Sequence, residues 1–375
     1  MTYLDHAAST PMRERAVAAM LPFLSERYAN PSGSHRFARD ARRAVDEARD
    51  LVAEVLGVEP GSVVFTSCGT ESDNTVLGGV RGTAICSAAE HHAVLHPVEH
   101  RGDGCIVGVD PTGHIDLDQL ADACADPAVG VVSVMAVNNE VGTVTDMAAV
   151  AAIVRARAPR ALLHTDAVQA PCWLDVREIA PHVDAMSFSA HKFGGPKGVG
   201  VLTVRPGRTV EPLIVGGGQE RERRSGTHNV AGIVALAEAL AETDTERADE
   251  LVRLAALRDR LVDEIRAELD GVFETVPRDR KVAGSAHLCI EGVENEALLY
   301  LLDEADVCAS AASACASGAM EPSHVLAAMG VERSLALGAL RLSLGHTTTA
   351  ADVDRAVEVV VDGVRRLRAS GGAAR

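Results

Sequence analysis

The chain has 375 residues, 47% of them apolar and 24% charged, a balance that fits a soluble globular protein with one large domain and a smaller one. Its 53 acidic and 36 basic residues leave a net charge of −17, which argues against a nonspecific binder of nucleic acid or anionic membrane, because both need a basic face. No run reaches the ~18 apolar residues of a membrane helix, no leader-like opening is visible, and the eight cysteines contain no C-x-x-C pair, so a cytoplasmic chain with mostly buried thiols is expected.

In chain order, residues 35–56 read as a helix. Ala41, Val45, Ala48, Val52 and Val55 space at three or four, Ser34 is placed to cap it, and Gly57 ends it. Residues 62–66 read as a strand and 71–81 as the helix after it. Further strands are expected at 130–137, 161–164, 183–188 and 199–204, with a helix at 146–157. Strands alternating with helices imply a mostly parallel sheet covered on both faces. The second half changes character. A long amphipathic helix is expected over 246–269, with Leu251, Leu254, Leu257, Leu261, Ile265 and Leu269 on one stripe. Shorter strands follow at 286–290 and 340–344. A final helix spans 350–368, opened by a capping box of Thr349 and Asp352. The expected fold class is therefore α/β, a large domain with a mostly parallel mixed sheet between helices plus a smaller α+β domain. The large domain is placed at 15–245, and residues 1–14 with 246–375 form the small one.

The stretch Ser187-Phe188-Ser189-Ala190-His191-Lys192-Phe193-Gly194-Gly195-Pro196 puts a lysine just past the end of an apolar strand, where α/β folds gather ligands. A lysine beside small polar donors suits a covalent amine link next to a phosphate. Neither G-x-x-x-x-G-K-[ST] nor a helix-opening G-x-G-x-x-G is present. Asp166 ends another apolar run and could pair with the protonated nitrogen of a pyridine ring. Cys68-Gly69-Thr70-Glu71-Ser72 lies between a strand and a helix N-terminus, whose free N–H groups favour a phosphate; Cys68 itself reads as a small packing residue. Asn139 follows a further strand. Small residues surround Cys315 from Ala311 to Ala319, a composition that suits either an exposed mobile loop or a tight helix turn. His92, His96 and His100 repeat every four residues as metal ligands can, but Pro97 should break that helix and no further ligand is at hand, so no metal is expected.

These stretches resemble the cysteine desulfurases, within the class V aminotransferase group of fold-type I pyridoxal-phosphate (PLP) enzymes. The resemblance runs from Tyr3-Leu4-Asp5 to Arg341-Leu342-Ser343-Leu344-Gly345. It includes Thr70-Glu71-Ser72-Asp73-Asn74, Glu90-His91-His92-Ala93-Val94, Asn138-Asn139-Glu140-Val141-Gly142, Arg224-Ser225-Gly226-Thr227 and Ser313-Ala314-Cys315. It implies pyridoxal 5'-phosphate linked to Lys192, with Asp166 on the pyridine nitrogen and Gln169 on the phenolic oxygen. Gly69, Thr70, Ser189 and His191 would hold the phosphate. Thr227 would reach the phosphate of a partner subunit, hence a homodimer. His91 would stack on the ring and help move protons, with Asn139 beside the cofactor. Asn30 and Arg341 would bind the carboxylate of L-cysteine. Cys315, on a loop of the long-loop group, would take the sulfur as a persulfide and leave L-alanine.

The sequence departs from the family pattern at Ala190 and Ala312, where glycine is frequent, and His228 after Thr227 reads as an ordinary loop residue. The resemblance further implies a sulfur-acceptor protein, a scaffold for iron–sulfur clusters or a thiolation enzyme, and neither a direct nucleic-acid partner nor a membrane. Two other readings stay open: a selenocysteine lyase, or a donor dedicated to DNA, tRNA or thio-metabolite modification. A sulfur-carrier subunit without turnover fits poorly with Lys192, Asp166, His91 and Cys315 all in place.

Overall fold

A computed structural model describes residues 1–311 and 322–372. The expectations for Ala312 and Cys315 lie outside the described residues. Among the described residues the strands are β1 (Thr2–Tyr3), β2 (Val63–Thr66), β3 (Thr83–Ser87), β4 (Cys105–Val107), β5 (Val129–Ser133), β6 (Leu162–Asp166), β7 (Ala185–Ser189), β8 (Gly200–Val204), β9 (Val272–Glu274), β10 (Ser285–Ile290), β11 (Val307–Cys308) and β12 (Ala339–Ser343). The large sheet has the order β2-β8-β7-β6-β5-β3-β4. Only β8 runs against its neighbours; the other pairs from β7 to β4 are parallel. The runs Val-Val-Phe-Thr of β2, Leu-Leu-His-Thr-Asp of β6 and Ala-Met-Ser-Phe-Ser of β7 are buried at every position, as strands covered on both faces must be.

The helix expected over 35–56 spans Arg36–Leu56, with Ala41, Val45, Ala48, Val52 and Val55 buried. Its N-cap is His35 rather than Ser34: the His35 ring accepts from the Ala38 N–H at 3.1 Å. Gly57 closes it at φ +67, and a Cβ there would meet Arg177 Cγ at 2.8 Å, so the position needs glycine on both counts. Thr349 and Asp352 form the expected reciprocal cap, at 2.9 and 3.2 Å, in front of the helix Ala350–Gly372.

The long helix is longer than its pattern suggested. It runs from Val230 to Glu268, 39 residues, where only 246–269 shows an amphipathic stripe. Its first part is hidden from a stripe search because it is buried nearly all round: Val230, Ala231, Ile233, Ala235, Leu236 and Leu240 all lie in the core of the large sheet. Its second part, through Leu254, Leu261 and Ile265, packs in a separate cluster with β10, β12 and the C-terminal helix. Trp173, the one tryptophan, packs against both clusters.

The smaller sheet has the antiparallel order β12-β10-β9. The first residues of the chain lie beside it: β1 pairs with β11 in a separate two-stranded sheet, and Asp5 bridges to Ser343 of β12. Among the described residues, no helix is long and apolar enough to cross a membrane.

Leu261 is fully buried in the second cluster. Leu261→Ala is expected to destabilise the protein by about 2–5 kcal/mol through lost transfer energy and the cavity left behind. Urea unfolding would show a lower midpoint at unchanged slope.

Candidate active site

The C-terminal ends of the parallel strands open into one cavity of about 340 Å³. β2 delivers Gly69 and Thr70, β6 delivers Asp166, β7 delivers Ser189, His191 and Lys192, and the turn after β3 delivers His91. The chain after β5 keeps pairing along β6, with Val134 and Ala136 N–H groups on His164 and Asp166 carbonyls, and so carries Asn139 to the same cavity. Gln169 and Arg341 complete the wall.

Lys192 ends a tight turn, Ala190–Lys192, directly after β7. Ala190 stands there with an ordinary negative φ, so this position does not need glycine. The Lys192 Nζ donates to the carbonyls of Ala7 and Ala8, at 2.6 and 2.9 Å. Burial, with the Arg341 guanidinium nearby, lowers its pKa to about 8, against the pull of Asp166 and Asp5. Gln169 Nε2 donates to the same Ala7 carbonyl at 2.9 Å. Neither Ala7 nor Ala8 had been singled out, since a backbone acceptor leaves no mark on residue type.

Asp166 is buried at the end of β6 and accepts from the Val168 N–H at 2.9 Å. Burial raises its pKa to about 6, and the Val168 bond and Lys192 limit the rise. Opposite it, Gly69 opens the helix Gly69–Gly79. A Cβ at Gly69 would lie 2.6 Å from Val168 Cγ2, so glycine alone fits. Cys68 does more than pack: its Sγ accepts from the Glu71 N–H at 3.4 Å and caps the helix. The first N–H groups of a helix have no partner within it, which leaves those of Gly69 and Thr70 available to an anion. Ser189 is buried beside them. His191 shares a hydrogen bond with Ser9 Oγ at 3.3 Å, and burial, then Lys192 and Lys197, lowers its pKa to about 4.

His91 caps the helix His92–His100, its Nδ1 accepting from the Ala93 N–H at 3.1 Å. The neutral ring therefore carries its proton on Nε2. Burial, Lys192 and the neighbouring histidines lower its pKa to about 4, so it is neutral at pH 7. Pro97 does not break this helix as expected. Proline frees the carbonyl four residues back, that of Ala93, and Asn74 Nδ2 takes it at 3.1 Å. Among the described residues, no group of three or more His, Cys, Asp or Glu is arranged to hold a metal.

Arg341, on β12, reaches across from the smaller sheet. Its Nη2 donates to Asp5 Oδ1 at 2.7 Å and its Nη1 to the Asn139 carbonyl at 2.8 Å, while its buried Nε has no partner. Asp5, absent from the expected site, thus aims the arginine; its place in the Tyr3-Leu4-Asp5 motif was the available signal. Two expected residues are not in this cavity. Asn30 is exposed and its Oδ1 accepts from the Ser32 N–H at 2.9 Å; Thr227 is exposed too. The segment before Thr227 is pinned by buried Glu220, which binds Arg49 at 2.7 and 2.9 Å and His228 at 2.7 Å. His228 is therefore part of a clamp, not an ordinary loop residue.

The residues flanking 312–321 are anchored beside the cavity. Ser310 pairs with Arg341 through both backbone bonds, at 2.7 and 3.2 Å. On the far side, Ser323 Oγ donates to buried Glu140 and caps the helix His324–Ala328.

The lowered pKa of Lys192 can be read directly. In the cofactor-free protein, acylation of Lys192 followed by peptide mass spectrometry should rise with pH around a midpoint of about 8. Asp166→Asn should move that midpoint lower, because it removes a charge that supports the ammonium. A midpoint at the ordinary lysine value would contradict the burial argument.

The aminotransferase class-V family model matches residues 2–356. An IscS-like cysteine desulfurase of Mycobacterium tuberculosis is 43% identical over 398 residues, covering 100% of each chain. A solved NifS-like protein superposes with a TM-score of 0.90 at 35% identity, over 96% of this chain and 98% of that one. A structure of SspA in complex with cysteine superposes with a TM-score of 0.76 at 29% identity, over 92% of this chain and 99% of that one. With the family model matched over residues 2–356 and a relative 43% identical over the whole of both chains, this chain belongs to the class-V aminotransferase family, among its cysteine desulfurases.

Proposed function

We propose that the protein converts L-cysteine to L-alanine with pyridoxal 5'-phosphate on Lys192, leaves the sulfur as a persulfide on Cys315, and passes it to an acceptor protein. The observation that carries this reading is one sheet edge that holds a lysine of lowered pKa, a buried carboxylate and a glycine-opened helix end together. The residues fit the cofactor: a Cβ would fill the cradle at Gly69, and the cavity of about 340 Å³ is within the range of small-molecule sites.

Gly69 and Thr70 N–H groups, Ser189 and His191 would hold the phosphate. Asp166 would face the pyridine nitrogen, Gln169 the phenolic oxygen, and His91 and Asn139 would flank the ring. The bound cofactor supplies an electron sink for charge developing at the substrate Cα. Arg341, already oriented by Asp5 and Asn139, would take the substrate carboxylate with its remaining N–H groups. Lys192 Nζ, neutral in a useful fraction near pH 7 because of its lowered pKa, would accept the Cα proton. The carbonyls of Ala7 and Ala8 give it a resting place when it is free. The Cys315 thiolate would then attack the substrate sulfur. An S–S bond forms, the C–S bond breaks, and its electron pair returns to the carbon side, so alanine leaves. The anchoring of Ser310 at Arg341, on the cavity wall, and of Ser323 at Glu140, the residue after Asn139, supports this role.

Exposure of Thr227 and Asn30 away from their own cavity supports a homodimer in which each copy completes the other's site. In that arrangement residues 15–245 carry the cofactor, and residues 1–14 with 246–375 carry Arg341 and Cys315. A cytoplasmic iron–sulfur scaffold or thiolation enzyme is the proposed acceptor.

One experiment tests the reading. Purified protein is given L-cysteine and a reductant, and the visible spectrum, alanine and sulfide are recorded. Lys192→Ala should lose both the cofactor band and turnover. Cys315→Ser should keep the band and lose alanine release by several orders of magnitude, the scale of removing a nucleophile. Wild-type release from Cys315→Ser would end the assignment. Arg341→Ala should raise KM for cysteine roughly 10- to 100-fold, about 1.5–3 kcal/mol for hydrogen bonds to a charged group.

A further inference from the structure

Three carboxyls are buried at the floor of the cavity, which Asp166 and Asp73 themselves line. Asp166 is 5% exposed, Asp73 1% and Glu90 fully buried. They come from different elements: Asp166 from β6, Asp73 from the helix Gly69–Gly79, Glu90 from the turn after β3. Like charges this close in a dry interior cannot all ionise.

Their surroundings are unequal. Asp166 accepts the Val168 N–H at 2.9 Å and faces Lys192. Glu90 Oε1 accepts the Met135 N–H at 2.7 Å, while its Oε2 has no partner. Asp73 Oδ1 has no hydrogen-bond partner, and the nearest candidate cation, His164 Nε2, is 3.7 Å away. That ring is already committed, Nδ1 to Ser133 Oγ at 2.8 Å and Nε2 to Ser187 Oγ at 2.9 Å. Burial holds it neutral, with a pKa of about 3. An ionised Asp73 would have one side-chain hydrogen bond, from Ser187, and no cation to balance it beside Asp166, Glu90 and Cys68; burial, then Asp166, push its pKa well up, and the Ser187 bond only limits the rise.

We propose that Asp73 is a positioning residue, a carboxylic acid that stays neutral and thereby leaves the negative charge of the cavity floor on Asp166. Asp73 touches neither substrate nor reacting atoms in this role. It acts through Asp166: the pair carries one proton and one charge, and the unequal hydrogen bonding decides which partner has which. The inference rests on the reading of Asp166 as the carboxylate facing the pyridine nitrogen.

The test is infrared difference spectroscopy on the full-length protein, with and without cofactor, comparing wild type with Asp73→Asn at neutral pH. The expected result is loss of one protonated-carboxyl C=O band, no loss of carboxylate intensity, and no shift in the pH midpoint of the cofactor's visible spectrum. Loss of a carboxylate band, with that midpoint moved, would overturn the proposal, because it would mean that Asp73 was charged. Asp166→Asn supplies the reciprocal measurement. Removing the neighbouring charge should let the Asp73 proton leave at lower pH than in wild type; an unchanged titration overturns the coupling. If Asp73→Asn does not fold, wild type against Asp166→Asn decides alone. The cofactor-free spectra report on the carboxyl pair whether or not cysteine is the substrate, so failure here and failure of the desulfurase reading are told apart.

Discussion

All strands of the large sheet but β8 run in one direction, so their C-terminal ends emerge along a single edge. Lys192, Asp166, Ser189, His191 and the Gly69 turn hang from that edge. Its position between covering layers makes it dry, and dryness sets the chemistry. The same burial raises the pKa of Asp166 to about 6 and lowers that of Lys192 to about 8, bringing an acid and a base towards neutrality from opposite sides. It also holds His91 neutral, with its proton on the nitrogen that the backbone does not occupy.

The second constraint is that the cavity is not finished by the large sheet. The chain's first residues pair with β11 and β12, then pass Asp5, Ala7 and Ala8 over the mouth. Arg341 enters from β12 and is fixed between Asp5 and Asn139. Glu140, next to Asn139, holds Ser323. The long helix Val230–Glu268 packs into both apolar clusters, and Trp173 touches both. The groups proposed for the cofactor and for the substrate carboxylate thus come from separate cores, which the helix Val230–Glu268 and Trp173 join.

Much of this was legible beforehand. The runs that became β2, β6, β7 and β8 are largely apolar until their ends, and every position is buried, which is the mark of strands covered on both faces. Lys192, Asp166 and Gly69 could be placed because each directly follows such a run. The first part of the long helix was not legible, since a helix buried all round shows no stripe. Pro97 misled for a related reason: what rescues it is the side chain of Asn74 from another helix. Asp5, Ala7 and Ala8 were missed because two of them act through carbonyls, which any residue has.

The sequence by itself determined the alternation of strands and helices, the polar residues at strand ends, and the family those motifs belong to. Hydrophobic period and turn chemistry are local properties, and local order is enough to read them. Only the tertiary structure decided which of those residues meet. It brought Arg341 to Asn139 from 202 positions away and Lys192 to Ala7 from 185, and it left Asn30 and Thr227 outside the cavity of their own chain. It also decided charge: Asp73, Asp166 and Glu90 are alike as letters. They differ because burial and unequal hydrogen bonding, which exist only once the chain is packed, give each a different claim on a proton.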